Sequence, residues 1–115
     1  MTPKKINMAL VFSDVYTHVE LQKKLSKAPN FARAYLWVFN KFKVLNDRQF
    51  IIEEFMADTK YSRQYAHQIL EHLVIFNIIN KRKVEKNRSI KFTIGDASQL
   101  IEDNVEIAKK TLGID

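Results

Sequence analysis

The sequence predicts a mainly α-helical protein with one small β-hairpin, an α+β chain that forms a single domain. The chain has 115 residues, enough for one hydrophobic core. It contains only 2 Gly and 2 Pro, which leaves few positions for tight turns and disfavours a many-stranded β fold. Apolar residues recur at helical spacing in most segments and alternate in two short ones. The domain is predicted to comprise an N-terminal extension with a helix (1–29), a core (30–95) and a C-terminal helix (96–115).

The N-terminal extension is predicted to end in a helix. Ser13 or Asp14 can act as its N-cap, since a short polar side chain can accept a hydrogen bond from a free backbone N–H of the first turn. We expect this helix to run to about Ser26, with Val19 on its apolar side. Pro29 ends the helix, because the residue before a proline avoids the α region.

A strongly apolar helix is predicted to follow. Asn30 is its expected N-cap, and the pattern continues to about Lys43. One face carries Phe31, Tyr35, Val38 and Phe42. Trp37 lies well off that face, so we expect it to pack on the N-terminal helix or on a second subunit. A helix with two apolar sides is typical of the centre of a core.

Residues 45–94 contain two helical patterns, a short polar turn between them and a basic hairpin. The first pattern is predicted to begin at Asn46 or Asp47 and to run through Met56. The turn Ala57–Tyr61 then joins it to the second helix. This turn lacks the glycine that is often found between paired helices.

The second helix of the pair has a clear beginning and end. Ser62 is its predicted N-cap, and Asn77 marks its end, since asparagine tolerates the left-handed conformation that follows a helix. Its apolar stripe consists of Ala66, Ile69, Leu70 and Leu73. At about 100° per residue, Gln64 and Gln68 point away from that stripe. Paired glutamines four residues apart suit the adenine edges of a DNA major groove.

Two strands, Ile78–Val84 and Ser89–Ile94, are predicted next, because their apolar residues alternate. Glu85–Arg88 forms the tip of this hairpin, with Asn87 as the turn residue. From Lys81 to Lys91 the sequence has six Lys or Arg and one Glu, a local charge of 6 − 1 = +5. We therefore expect the positive charge to concentrate in the hairpin.

The second helix and the hairpin resemble the recognition helix and wing of winged helix-turn-helix DNA-binding proteins. In those families the recognition helix ends in a run of the form hydrophobic-x-x-Leu-x-x-x-Gly-hydrophobic-hydrophobic. The residues that match this run are Leu70, Leu73, Asn77, Ile78 and Ile79, with Asn77 in place of the usual Gly. The flanking helices are similar to those of small dimeric regulators of the MarR, PadR and ArsR kind. Similar domains occur in plasmid and viral proteins of archaea, including centromere-binding partition proteins.

The resemblance implies a DNA surface with three parts. The outer side of the second helix is expected to reach base edges, the turn and the starts of both helices to contact phosphates, and the hairpin to reach the backbone or an adjacent minor groove. The candidate DNA-binding residues are Arg48, Lys60, Tyr61, Ser62, Arg63, Gln64, Tyr65, His67, Gln68, Lys81, Lys83, Lys86, Asn87 and Arg88. The competing interpretation is an ordinary solvated polar face.

The C-terminal helix is predicted to be capped by Asp96 or Ser98 and to end near Leu112. Its apolar residues step by 4, 3 and 4, the spacing of a coiled-coil seam. The candidate dimerisation residues are Leu100, Ile101, Val105, Ala108 and Leu112. We expect this seam to form a homodimer. The alternative is that the helix folds back over the first helices of its own chain.

The charge balance indicates a polyanionic partner. The net charge is +6 and the pI is about 9.6. The chain has no cysteine, so neither a disulfide nor a thiolate metal site is expected. We expect no signal peptide and no membrane segment, and we predict a cytoplasmic protein associated with the nucleoid.

An enzyme is not expected from the residue inventory. His67 and His72 are five residues apart, so they do not share a helical face as a metal-binding pair would. Glu53 and Glu54 are adjacent and diverge by about 100°. The sequence has no glycine-rich phosphate loop. We therefore expect no catalytic residue, no metal and no cofactor.

The predicted function is sequence-specific binding of double-stranded DNA by a homodimer of the transcriptional regulator type, at palindromic or repeated A·T-rich sites. Two alternatives stay open. One is a plasmid or viral DNA-binding protein that acts in partition or replication. The other is a winged-helix module that binds another protein and no DNA, an interpretation that Glu71 and the outward-facing Ile75 favour.

Overall fold

Residues 18–82 and 90–114 are described by the structure, a computed structural model, and they form five α-helices and a three-stranded antiparallel sheet. The helices are α1 (18–27), α2 (Pro29–Phe39), α3 (Ile52–Thr59), α4 (Arg63–Ile75) and α5 (Glu102–Leu112). The strands are β1 (Gln49–Ile51), β2 (Ile79–Arg82) and β3 (Lys91–Ile94), in the order β1-β3-β2. A π-helical turn (Asn40–Val44) extends α2, and a 3₁₀ turn (Ala97–Gln99) precedes α5. The predicted α+β class is confirmed. None of the described helices has the length and apolar character needed to cross a lipid bilayer.

The break between the first two helices lies where the sequence predicted it. Ala28 is extended (φ −118°, ψ 97°), because Pro29 disfavours the α region at the preceding residue. Helix α2 begins at Pro29 itself, without an Asn30 cap, since a proline has no N–H that would lack a partner at the first helical position. The predicted inner face of α2 and its extension is confirmed, with Phe31, Tyr35, Val38 and Phe42 all buried.

The inner side of α1 differs from the prediction. Leu21 and Leu25 are fully buried, whereas Val19 is 43% exposed. Two leucines four residues apart lie on the same helical face and bury more apolar surface than a valine does. The helix is therefore rotated so that the leucine pair, and not the valine, meets the core.

A polar network connects α1, α2 and α5 inside the protein. Gln22 Nε2 donates to Asn104 Oδ1 (3.0 Å), and Asn104 Nδ2 donates to the Gln99 carbonyl (3.0 Å). The Tyr35 hydroxyl donates to the same carbonyl (2.7 Å), and burial raises the pKa of Tyr35 to about 12. These buried polar groups are thus paired, and the network fixes the position of α5 on α2.

Helix α5 packs against α2 of its own chain, which corrects the predicted dimer seam. Leu100, Val105 and Ala108 are buried in the core, and Ile101 and Leu112 are half-buried. A side chain that is buried against its own chain is not available to a second copy. The alternative, in which the helix folds back over the first helices, is therefore correct for the fully buried residues. The homodimer itself stays a prediction.

The start of α5 also differs from the prediction. The Asp96 carboxylate accepts a hydrogen bond from the Ser98 N–H (2.9 Å), which caps the 3₁₀ turn, and hydrogen bonds from Ser98 lower the pKa of Asp96. Helix α5 begins only at Glu102. Its predicted end at Leu112 is confirmed, and Gly113 follows in the left-handed conformation (φ 70°).

Residues 46–51 do not begin a helix, contrary to the prediction. Asn46 has a left-handed backbone (φ 60°), and the chain then forms β1. Strand β1 pairs antiparallel with β3, which places Phe50 opposite Phe92 with ring centroids 5.2 Å apart. Helix α3 begins at Ile52. The strand pairing and the buried ring stack outweigh the local helical pattern, because strand formation depends on the neighbours that a segment meets.

The turn between α3 and α4 is shorter than the predicted Ala57–Tyr61. Helix α3 continues to Thr59, and Lys60 follows in the left-handed conformation (φ 65°). Ser62 then begins α4 as predicted, because its hydroxyl accepts a hydrogen bond from the Tyr65 N–H (3.2 Å).

The end of α4 confirms the prediction for Asn77. Its backbone is left-handed (φ 62°), and its N–H donates to the Val74 carbonyl (2.9 Å). The Ile78 N–H donates to the Leu73 carbonyl (3.0 Å). These two bonds form a Schellman motif, which satisfies carbonyls that the helix would leave without partners.

Trp37 packs within its own chain. Its ring lies edge-on to Phe50 and Phe55, with centroids 4.8 and 5.2 Å away. The indole N–H donates to Asp58 Oδ2 (2.7 Å). The sequence did not predict these contacts with β1 and α3. The ring is only half-buried, and its predicted contact with a second subunit stays a prediction.

Candidate nucleic-acid interface

Helix α4 presents one outward line of side chains. Its inner residues Ala66, Ile69, Leu70 and Leu73 are buried as predicted. Gln64 and Gln68 point the opposite way and are exposed, about 6 Å apart along the helix axis. Ile75 continues the same line near the end of the helix and is 71% exposed. The outward face of α4 therefore offers two amides followed by one large apolar side chain.

The corner before α4 is held by hydrogen bonds between side chains. The Tyr61 hydroxyl donates to Asn30 Oδ1 (3.2 Å), and Asn30 Nδ2 donates to the Tyr65 hydroxyl (2.6 Å). The two tyrosine rings lie edge to face with centroids 4.8 Å apart. Ser62 is occupied as the N-cap. Tyr61 and Tyr65 therefore fix the orientation of α4 on α2, and Ser62 fixes the first turn of α4.

The predicted phosphate contacts at this corner have different surroundings. Arg63 lies at the start of α4, and its guanidinium binds Glu53 of α3 at 3.0 Å. Lys60 and Arg48 are exposed, and among the described residues neither forms an ion pair. His67 is half-buried on one flank of α4. Lys60 and Arg48 are thus the more available cations near the corner, since Arg63 would have to leave Glu53.

Lys81 connects the hairpin to α4. It lies opposite Phe92 in the β2–β3 pair, and its ammonium binds Glu71 Oε1 at 3.0 Å. This ion pair places β2 along one flank of α4. The other predicted hairpin residues, Lys83, Lys86, Asn87 and Arg88, lie outside the described residues.

The outer face of the sheet carries a cation pair that the predicted site did not include. Arg82 lies directly opposite Lys91, and successive side chains of a strand point to opposite faces, so this pair lies on the face away from Lys81. Like charges directly opposite each other repel, which makes this face attractive to anions. The alternation of side chains along a strand places Arg82 and Lys81 on opposite faces of the sheet, and this alternation could have been read from the sequence.

The described residues hold no group of three His, Cys, Asp or Glu side chains that could coordinate a metal ion. His18 and His72 are engaged separately: His18 Nδ1 contacts Gln99 Oε1 (3.3 Å), and His72 lies edge-on to Phe31. The exposed groups around α4 are instead the amides of Gln64 and Gln68 and the cations of Lys60 and Arg48, which can bind a polar anionic partner.

No protein-family model matches this chain. No curated protein and no solved structure matches it significantly either.

Proposed function

We propose that the protein binds double-stranded DNA in a sequence-specific manner, as a winged helix-turn-helix protein whose α4 enters the major groove. The observation that carries this proposal is the pair Gln64 and Gln68. Both side chains are exposed on the outward line of α4, and neither makes a hydrogen bond within the described residues. Each therefore keeps its full hydrogen-bonding capacity for a partner.

The chemistry of the glutamine side chain matches one base in particular. A primary amide presents an acceptor oxygen beside donor hydrogens, which fits the N6 donor and N7 acceptor of adenine. Two such amides about 6 Å apart along a helix span roughly two base-pair steps of about 3.4 Å each. We therefore expect a preferred site that contains adjacent A·T pairs.

The order and contacts of the elements support the same proposal. Helices α3 and α4 are joined by a short turn, and the β2–β3 hairpin follows at once. The Lys81–Glu71 ion pair keeps the hairpin beside α4, where a wing would flank the DNA groove. The net charge of +6 supplies the long-range attraction to a polyanion.

The proposed protein is a homodimer, and it needs an interface other than the buried residues Leu100, Val105 and Ala108 of the α5 stripe. An open groove of about 700 Å³ lies between α2, the end of α3 and the chain that follows α5. Its apolar lining consists of Leu36, Trp37, Leu112 and Ile114. Arg33 and Asp58 line the same groove, so a two-fold-related copy would find one charge of each sign.

A negative charge in this groove is expected to separate the two copies. Ile114→Glu would place a carboxylate in an apolar contact and shift the protein from dimer to monomer in sedimentation velocity. Val44→Glu, at another exposed aliphatic residue that lies outside the groove, serves as the control and should leave the dimer intact. A dimer that survives Ile114→Glu and Leu36→Glu would rule out this groove, and a wild-type monomer at high concentration would rule out the homodimer.

We propose that the protein regulates transcription. The alternative is that it acts in the partition or replication of plasmid or viral DNA. The arrangement of binding sites discriminates between them. A regulator that acts as a two-fold dimer is expected at isolated palindromes, whereas a partition protein is expected at arrays of repeats.

A protein-binding module without DNA affinity is the second candidate function. The 71% exposure of Ile75 favours it, because a large apolar side chain at the end of the outward line of α4 would gain free energy from burial against a protein partner. This candidate predicts no affinity for duplex DNA even at low salt.

Fluorescence anisotropy with labelled duplexes tests the proposed function. We expect binding to random duplex that weakens steeply with salt, because lysines and arginines release counterions from DNA. We also expect a sequence enriched by selection to bind at least about a thousandfold more tightly than random duplex. A steep salt slope without sequence preference would indicate an architectural protein, and no binding at low salt would contradict the DNA-binding proposal.

A further inference from the structure

Helix α4 has two flanks, and different parts of the protein occupy them. Taking Gln64 and Gln68 as the outward line, Glu71 is turned by about 40° to one side, while Tyr65 and His72 are turned by about 60–80° to the other. The hairpin lies on the Glu71 side, through the Lys81–Glu71 ion pair at 3.0 Å. Helix α1 and the start of α2 lie on the Tyr65 and His72 side.

Helix α1 brings three lysines to this second flank. Lys23, Lys24 and Lys27 line an open groove of about 680 Å³ together with His72 and Ile75 of α4. Lys24 also lines the narrower groove that runs along α4 beside Tyr65 and Ile69. We call the three lysines the α1 lysine strip.

The α1 lysine strip keeps most of its charge free. Lys27 is exposed and forms no ion pair within the described residues, and Lys23 is paired only with Glu20 at the surface (3.3 Å). The Lys24 ammonium lies 5.3 Å from the centre of the Phe31 ring, a contact that leaves its charge uncompensated. Among the residues that the structure describes, Glu20 is the one acid that lines the groove with them.

The pKa of His72, which lines the same groove, is affected by the positive charge of the strip. Burial lowers the pKa of His72, and the nearby positive charge of Lys24 lowers it further. His72 is therefore expected to be neutral at pH 7, so among the described residues the positive charge of this flank comes from α1. An anion that approached the strip would meet lysines and a neutral ring.

A helix in the major groove lies between two phosphate backbones, one along each wall of a groove about 12 Å wide. Cations on one flank can contact only one wall. The hairpin supplies positive charge to one wall, and the α1 lysine strip is the positive charge that the structure places at the other. This arrangement rests on the proposed function, since it needs α4 in the groove.

We propose that Lys23, Lys24 and Lys27 of α1 bind the phosphates of the DNA strand on the side of α4 opposite the hairpin. The N-terminal helix then acts as a second clamp on the duplex. Its contacts are with phosphates, so they add affinity for any sequence and do not select bases.

The double variant Lys23→Gln with Lys27→Gln tests this proposal. Both side chains are exposed, and glutamine is a good helix former, so α1 should stay folded. Loss of two phosphate contacts should reduce the slope of log K against log salt by about 1.8, because each contact contributes about 0.9. At 0.1 M salt the affinity for random duplex should fall by tens of fold, with an equal fall for the selected sequence.

The control variant is Lys43→Gln with Lys110→Gln, which removes the same charge from exposed lysines of other elements. Its slope should stay close to that of the wild type. Lys23→Arg with Lys27→Arg should restore wild-type binding, because it restores the charge. Circular dichroism of each variant reports whether α1 remains helical.

The outcomes separate the clamp from the proposed function. If the wild type binds duplex and the glutamine variant keeps the slope of the control, the clamp is wrong while the α4 proposal stands. The groove around Ile75 would then be better explained as a docking surface for an acidic protein segment. If the wild type binds no duplex, both proposals fail.

Discussion

Replacement of Gln64 and Gln68 together by alanine is expected to remove the preference for the selected sequence, while affinity for random duplex stays the same. Each bidentate contact between a side chain and a base contributes about 1–3 kcal/mol of discrimination. Loss of both should weaken specific binding by about 2–6 kcal/mol, at least roughly 30-fold. The amides carry no charge, so the salt slope should not change.

Stability is not expected to explain this result. Both positions are exposed, and alanine has the highest helix propensity, so the free energy of unfolding should stay the same or rise slightly. Gln49→Thr is a suitable control, because it removes an exposed glutamine from β1 and keeps a residue that favours strands. Anisotropy with the selected and random duplexes measures both affinities. A double variant that retains the full preference would show that other side chains read the bases.

Gly95→Ala is expected to destabilise the fold more than Gly113→Ala, the same substitution at the other glycine of the chain. A Cβ at this position would lie 3.0 Å from the Asn77 carbonyl carbon, closer still to its oxygen, and 3.1 Å from the Ile78 carbonyl carbon. All three atoms belong to the backbone that ends α4, and the Gly95 N–H itself donates to the Ile78 carbonyl (2.9 Å). Relief of the clash must therefore move β3 away from α4, at a cost of about 2–3 kcal/mol or more.

Urea denaturation of Gly95→Ala and Gly113→Ala provides the comparison. Gly113 has free space around it but a left-handed backbone (φ 70°), so an alanine there should cost only about 1 kcal/mol. Equal midpoints for Gly95→Ala and the wild type would contradict the close approach of the hairpin to the end of α4.

The boundaries of α4 were predictable from the sequence because they depend on local chemistry. A serine hydroxyl can cap a helix whose first residues follow it, and an asparagine accepts a left-handed backbone wherever the helix stops. The structure places Ser62 and Asn77 in those roles. The orientation of Gln64 and Gln68 followed from the same helix, because a buried stripe fixes the opposite face.

Strand β1 was not predictable in this way. Phe50 and Ile51 belong to a short apolar run that fits a helix or a strand, and the partner of Phe50, Phe92, lies about forty residues later. The packing partner of α5 could not be predicted from the sequence for a similar reason. A stripe with Leu100, Val105 and Ala108 has the same spacing whether it is buried by its own chain or by a second copy.

The α1 lysine strip was not predicted from the sequence, because the position of its lysines beside α4 depends on the tertiary fold. Lys23, Lys24 and Lys27 look like the solvated face of an amphipathic helix until the structure places them beside α4. Lys81 was predicted as a DNA contact, and only the structure shows that it is bound to Glu71. Sequence spacing gives the face of an element, and only packing shows what lies next to that face.

A nuclear magnetic resonance titration most directly tests whether the first half of α4 reads DNA bases, as we propose. The side-chain amide resonances of Gln64 and Gln68 should shift on addition of the selected duplex and shift less with random duplex of the same length. The lysines of α1 should respond to both duplexes alike. Glutamine resonances that stay unchanged while the protein binds the selected duplex would contradict the account, because the bases would then be read by another surface.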